Sequence, residues 1–164
     1  EQAGLRVENG VAVDARLQTG DPDIFAAGDC CSFPHPLYDG RRIRLEAWRN
    51  AQDQGAAAAR SMLGAPGAYE AVPWFWSDQY DETLQIAGLP DAGVGTVERD
   101  AGAGAELFFH LAADGRLVAA SGVGPNARIA RDIRLAEMLI AARAAPDPAA
   151  LADPDVKLKS LLRG

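Results

Sequence analysis

Thr19-Gly-Asp-Pro-Asp-Ile-Phe-Ala-Ala-Gly-Asp29 is the stretch on which the reading of this 164-residue chain turns. Ile24, Phe25, Ala26 and Ala27 form an apolar run suited to a short strand covered on both faces. Gly28 has no Cβ, so a ligand can approach the backbone closely. Asp29 then offers a carboxylate to sugar or ribityl hydroxyls at the carboxyl end of the strand, an arrangement that points to a flavin. A Gly-Asp pair by itself is more often an ordinary turn, so the segments beyond Asp29 decide between the two.

Past a Pro-containing loop comes Leu45-Glu-Ala-Trp-Arg-Asn-Ala-Gln-Asp-Gln-Gly55-Ala-Ala-Ala-Ala-Arg60, then Pro73-Trp-Phe-Trp-Ser-Asp-Gln-Tyr80 and Leu84-Gln-Ile-Ala-Gly-Leu89. This combination resembles the carboxyl-terminal part of FAD-dependent ferredoxin reductases, the group that serves Rieske-type dioxygenases and, in its putidaredoxin-reductase type, cytochromes P450. The resemblance runs through the closing Leu151-Ala-Asp-Pro-Asp-Val-Lys-Leu-Lys159, and the Pro-Trp-Phe-Trp-Ser-Asp-Gln string is its most specific element.

Composition agrees with an enzyme of that kind without singling it out. With 48% hydrophobic residues the chain can close one or two small cores. No apolar run reaches the roughly 20 residues needed to span a bilayer, and no signal sequence opens the chain, so a cytoplasmic location and no membrane partner are expected. Sixteen basic residues against 23 acidic ones, a net charge of -7, argue against nucleic acid as a partner.

The chain opens with Glu1 and enters directly at Leu5-Arg-Val-Glu-Asn-Gly-Val-Ala-Val13, where Asn9-Gly10 between apolar alternations predicts a two-residue hairpin. No Gly-rich strand-to-helix turn precedes the Asp29 segment, which reads as a piece of a longer protein. Gly122-Val-Gly124-Pro-Asn-Ala127 imitates the missing fingerprint. A second parallel strand with an acidic end does not come after it, and Pro125 sits where a backbone N–H would be wanted, so a tight strand-to-helix turn is the better reading. Cys30 and Cys31 are adjacent, with Cα atoms about 3.8 Å apart, below the roughly 4.4 Å minimum of an ordinary disulfide. They read as small buried thiols, and no metal site is expected.

Two parts are expected: residues 1–64, the end of an FAD-binding domain, and 69–164, an α+β domain, divided by Gly64-Ala-Pro-Gly-Ala68. A helix is predicted from about Glu46 to Leu63, stopped by Gly64. The second part is predicted to hold an antiparallel sheet of about five strands: Trp74 to Trp76, Thr83 to Gly88, Val94 to Arg99, Glu106 to Ala112 and Arg116 to Val123, with Asp114-Gly115 as a hairpin turn. Carboxyl-terminal helices complete it. The first, from about Ala127 to Arg143, carries an apolar stripe of Ile129, Ile133, Ala136, Met138 and Ile140, and Asp147 or Asp153 begins the later turns. Trp74 and Trp76 share one face of their strand, one face being core.

The resemblance implies the site. Gly28 and Asp29 would contact FAD, with Glu46, Ala47 and Trp48 at the isoalloxazine, where the positive helix end favours negative charge. It implies NAD(P)H as co-substrate, and a [2Fe-2S] ferredoxin docking near Trp76. Arg41, Arg42, Arg44 and Arg49, and on the later helix Arg128, Arg131 and Arg134, are candidates for the basic side of that docking surface; an ordinary charged face is the plainer reading. For Trp48 and Trp74 ordinary packing stays open. The competing function is a dimerisation or partner-binding module.

Overall fold

The computed structural model describes residues 2–65 and 67–163, with the side chains of 126–128 and 163 outside the description. It divides into two compact units, Glu1–Ala71 and Val72–Gly164.

In the first unit three short strands form a sheet in chain order: β1 (Val11–Ala12), β2 (Cys31–His35) and β3 (Arg41–Ile43). β1 pairs with β2 in parallel, and β2 with β3 antiparallel. The 15-residue helix α1 (Trp48–Met62) is amphipathic in an unusual way, since its buried positions are Asn50, Gln54 and Ala58 at four-residue spacing. It ends as Gly64 predicts: the Gly64 N–H bonds the Ser61 carbonyl and the Ala65 N–H bonds that of Arg60, which satisfies the last carbonyls of the helix. The core gathers Val13, Leu17, Cys31, Phe33, Ala58 and Tyr69.

Three expectations are corrected here. The run Ile24–Ala27 is no strand: Phe25 makes a single bridge to Gln18, Ile24 is 39% exposed, and the true strand starts after the Gly-Asp pair, at Cys31. Its hydrogen bonds go locally instead, Thr19 N–H to the Ile24 carbonyl and Ala26 N–H to that of Leu17, which closes a tight loop around Asp21-Pro22. The Asn9-Gly10 turn exists, but its hairpin is one bridge, Val7 to Val11, because Val11 and Ala12 are drawn into pairing with β2. Tyr69, expected to open the second part, packs in the first-unit core and bonds its N–H to the Ala15 carbonyl; of the linker, Pro66 lies outside the described residues.

The second unit is an α+β fold. Its antiparallel sheet has five strands, β4 (Trp74–Gln79), β5 (Glu82–Gly88), β6 (Gly95–Gly102), β7 (Ala105–Leu111) and β8 (Leu117–Gly124), in spatial order β4-β5-β8-β7-β6. Alternation explains β7 directly: Ala105, Leu107, Phe109 and Leu111 are buried while Glu106, Phe108 and His110 are not. One rung crosses the whole sheet, Trp76–Gln85–Gly122–Leu107–Arg99. Above it lies α2 (Asn126–Ala141), and a Cβ on Gly122 would meet Leu107 Cδ2 at 2.7 Å and the side chains of Ile129 and Ile133 at 3.4 Å. Gly124, at φ +138°, would drive a Cβ to 2.7 Å from the Ala105 backbone. Of the two glycines of the Gly-x-Gly imitation, Gly122 thus serves close packing of helix on strand and Gly124 the close approach of β8 to the start of β7.

The buried stripe of α2 is Ile129, Ile133, Ala136, Leu139 and Ile140, whereas Met138, expected in the stripe, is 46% exposed. A 3.6-residue repeat carried on from Ile129, Ile133 and Ala136 reaches position 140, with Leu139 beside it, and leaves 138 outside. The short helix α3 (Pro148–Ala152) is capped by the Asp147 carboxylate, which accepts from the Ala149 N–H. Asp153 makes a similar bond to the Asp155 N–H at a turn. The edge strand β4 has no fully buried residue on either face, which corrects the expectation that one face is core.

Candidate functional site

Gly28 begins a single 3-10 turn, Gly28–Cys30, whose second residue is Asp29. Gly28 is buried at φ +78°, and a Cβ there would stand 3.3 Å from the Cβ of Ala51 on α1. The turn therefore lies directly against the helix, at a distance and a dihedral that favour glycine. The Gly28 N–H donates to Gln54 Oε1 at 2.7 Å, a buried bond from turn to helix. Asp29 is exposed, and its carboxylate has no hydrogen-bond or ion-pair partner among the described residues.

The second component is the start of α1. Ala47 is its cap, in extended conformation (φ -148°, ψ 134°), and so no side chain closes the first turn; nor does that turn contain an acidic residue. Trp48, the first helical residue, is 65% exposed. Glu46 lies just before the helix, and Arg44 Nη1 donates both to its carboxylate and to the Asp29 carbonyl, the latter at 3.1 Å. One guanidinium nitrogen thus ties the Gly-Asp turn to the approach to the helix. Gly28, Asp29, Glu46, Ala47 and Trp48 are assembled in one region of the first unit.

Chemically, this region offers a carboxylate that is uncommitted among the described residues and, beside it, a helix start whose first turn holds no acidic residue. An elongated ligand carrying polyol hydroxyls and a ring edge that gains negative charge fits these groups. The close seat of Gly28 on Ala51 gives the turn the rigidity such a site needs.

The arginines are less available than their number suggests. Arg42 is a clamp inside the first unit, donating to the carbonyls of Val13 and Ser32, and Arg44 is engaged as above. Arg49 lies 3.6 Å from Asp53, one helical turn on. In the second unit Arg134 bonds Glu137 at 2.6 Å, while Arg131 is exposed; the Arg128 side chain is outside the description. Trp76 stands on β4, 36% exposed, its ring centroid 5.2 Å from that of Trp74 on the same face, while Phe75 alternates to the other.

Cys31 is wholly buried, and desolvation, with a smaller contribution from Cys30, pushes its thiol up to about 12. Cys30, expected to be buried, is exposed, because the 3-10 turn rotates it away from the β2 core. Gln54 was not among the residues the sequence singles out; the available signal is a glutamine four residues after Asn50 on an alanine-rich helix, the two polar groups sharing the buried stripe. Among the described residues no helix is long and apolar enough to cross a membrane.

Comparison with known proteins matches residues 74–162 to the reductase C-terminal family and residues 1–55 to the pyridine nucleotide-disulphide oxidoreductase family. The chain is 50% identical, over 99% of its length, to the ferredoxin-NAD(+) reductase component of the anthranilate 1,2-dioxygenase system of Burkholderia cepacia, and covers 39% of that protein. It is 35% identical to putidaredoxin reductase of Pseudomonas putida over 98% of its own length and 37% of the relative's. Among solved structures, the covalent putidaredoxin reductase-putidaredoxin complex superposes with a TM-score of 0.87 at 32% identity, covering 99% of this chain and 38% of that one. The ferredoxin reductase of the CYP199A2 system from Rhodopseudomonas palustris gives 0.86 at 34%, covering 97% and 38%. The chain spans about two fifths of the length of these curated relatives.

Proposed function

Since this chain belongs to the reductase C-terminal family, we propose that it forms the carboxyl-terminal part of a cytoplasmic FAD-dependent oxidoreductase that passes electrons from NAD(P)H to a [2Fe-2S] ferredoxin. The carrying observation is the 50% identity, across nearly the whole chain, to a ferredoxin-NAD(+) reductase component. The match of residues 1–55 to the pyridine nucleotide-disulphide oxidoreductase family supports the nicotinamide and flavin parts of the reading. A solved complex of a relative with putidaredoxin supports an electron-carrier protein as the partner.

When bound, FAD would supply the two-electron to one-electron conversion between nicotinamide and iron-sulfur partner. This chain's own residues would hold it. Asp29 would accept hydrogen bonds from its hydroxyls, the start of α1 at Ala47 and Trp48 would favour the negative charge that its ring gains on reduction, and Glu46 is tied to Arg44. Trp76 offers an exposed indole at an edge strand, a surface suited to an uncharged contact with a docked partner.

The test is made on the full-length flavoprotein. Purified with FAD, it should oxidise NADH or NADPH in the presence of an electron-accepting dye, and reduce a [2Fe-2S] ferredoxin at a rate that falls with rising salt. A protein that takes no FAD, or that reduces dye but no ferredoxin of any dioxygenase or P450 system, would contradict the reading.

A further inference from the structure

Gln54 is wholly buried on α1, with two amide ends in different situations. Its Oε1 accepts the Gly28 N–H at 2.7 Å; its Nε2 lies inside the protein with no hydrogen-bond partner. A methionine would occupy the same volume without burying an unpaired donor, so packing alone gives no reason for an amide here. What the amide achieves is to hold the Gly28 N–H. That N–H lies at the first residue of the turn that presents Asp29, and the turn is gripped from two sides: by Gln54 from within the helix, and by Arg44 on the Asp29 carbonyl from outside. Asp29 itself contributes no bond from its carboxylate to this grip among the described residues.

We propose that Gln54 is a positioning residue of the flavin site, which through Gly28 sets the direction in which the Asp29 carboxylate meets the ligand's hydroxyls. The inference rests on the flavin reading above. It adds a residue that touches no ligand and whose contribution passes entirely through Asp29. Coupling of that kind has a signature that a purely structural role lacks: removal of Gln54 costs affinity only while Asp29 is present.

The experiment is a double-mutant cycle in the full-length protein, with the FAD dissociation constant read from flavin fluorescence on titrating apoprotein. Gln54→Met should weaken FAD binding about tenfold beside an intact Asp29, the scale of one hydrogen bond to a charged group, and less than about twofold in an Asp29→Ala background. Gln54→Glu, which keeps an acceptor oxygen for the Gly28 N–H, should stay within about threefold of the unsubstituted protein. Equal losses in both backgrounds, or no loss in either, overturn the inference and leave the flavin reading standing. An unsubstituted protein that binds no FAD overturns both. Should Gln54→Met fail to fold, amide exchange in the unsubstituted apoprotein decides the matter: a Gly28 N–H protected like the interior amides of α1 supports the grip, and one that exchanges freely overturns it.

Discussion

Arg99 on β6 and Val156 beyond α3 are joined by a 2.7 Å hydrogen bond across 57 residues of chain. The same guanidinium donates to the carbonyls of Leu151 at 3.1 Å and Pro154 at 3.2 Å, and is 7% exposed. Among the described residues it forms no ion pair, and its N–H groups are met by carbonyl dipoles, including that of Leu151 near the end of α3. Removing it strands several carbonyls at once. Arg99→Met should destabilise the protein by about 2–4 kcal/mol in urea unfolding and expose the segment after residue 146 to limited proteolysis. Arg99→Lys should recover less than half, since one ammonium cannot reproduce the fork. A change under about 0.5 kcal/mol would mean that solvent already satisfies those carbonyls.

The two adjacent thiols should separate cleanly in reactivity. Cys30 is exposed, while Cys31 is in the core with its thiol held up to about 12. At pH 8 an aromatic disulfide reagent should titrate one thiol per chain quickly, and the second only on unfolding in denaturant. Cys30→Ser should abolish the fast phase, and persistence of that phase would reverse the assignment.

His110 should make the second unit acid-sensitive. Its ring lies between Ser121 Oγ, 3.1 Å from Nε2, and Thr96 Oγ1, 3.4 Å from Nδ1, and burial lowers its pKa below the ordinary 6.5. With the folded value below the unfolded one, the unfolded chain binds the extra proton first. The stability from the neutral ring is therefore complete above about 6.5 and is lost as pH falls through the lower folded value. Urea midpoints of the parent and His110→Gln should diverge at pH 7 and converge toward pH 5. Parallel profiles would show a ring indifferent to its charge.

Asp29 can be removed without disturbing the fold, because its carboxylate holds nothing within the described residues. In the full-length protein Asp29→Ala should cost about 1.5–3 kcal/mol of FAD affinity, with the thermal midpoint of the apoprotein unchanged. Unchanged affinity would reduce Asp29 to a turn residue.

Trp76→Ala should slow ferredoxin reduction by about 30-fold, a loss of about 2 kcal/mol typical of an exposed tryptophan at an interface, while reduction of the flavin by NAD(P)H and of a small dye stays nearly constant. Stopped-flow timing separates the half-reactions. Equal losses with ferredoxin and dye would assign the indole to packing against Trp74, 5.2 Å away.

Along the chain, local chemistry carried a good part of the fold. The strands of the second unit are legible as alternating or continuous apolar runs, the β7-β8 hairpin from Asp114-Gly115, and the stop of α1 from Gly64. Alternation, left-handed turns and caps involve neighbours only a few residues apart, so their energies are written locally. The apolar run Ile24–Ala27 misled because hydrophobicity reports burial and says nothing of which backbone supplies a ladder; local loop bonds won. Met138 and Leu139 differ by one position on an amphipathic helix, and the 3.6-residue repeat strictly continued places Leu139, not Met138, in the buried stripe.

The same division holds for the candidate site. Gly28 and Asp29 are legible as a pair in which one residue needs freedom and the other offers charge, and the helix start behind Ala47 is legible from its spacing. That Arg44 bonds the Asp29 carbonyl and pairs with Glu46, that Arg134 pairs with Glu137, and that Gln54 reaches Gly28 across 26 residues belong to tertiary structure alone. The sequence determined that the chain holds many arginines and a glutamine four residues after Asn50 on an alanine-rich helix. Which partners they meet depends on angstrom-scale distances between segments remote in sequence, and a hydrogen bond forms or fails on those distances.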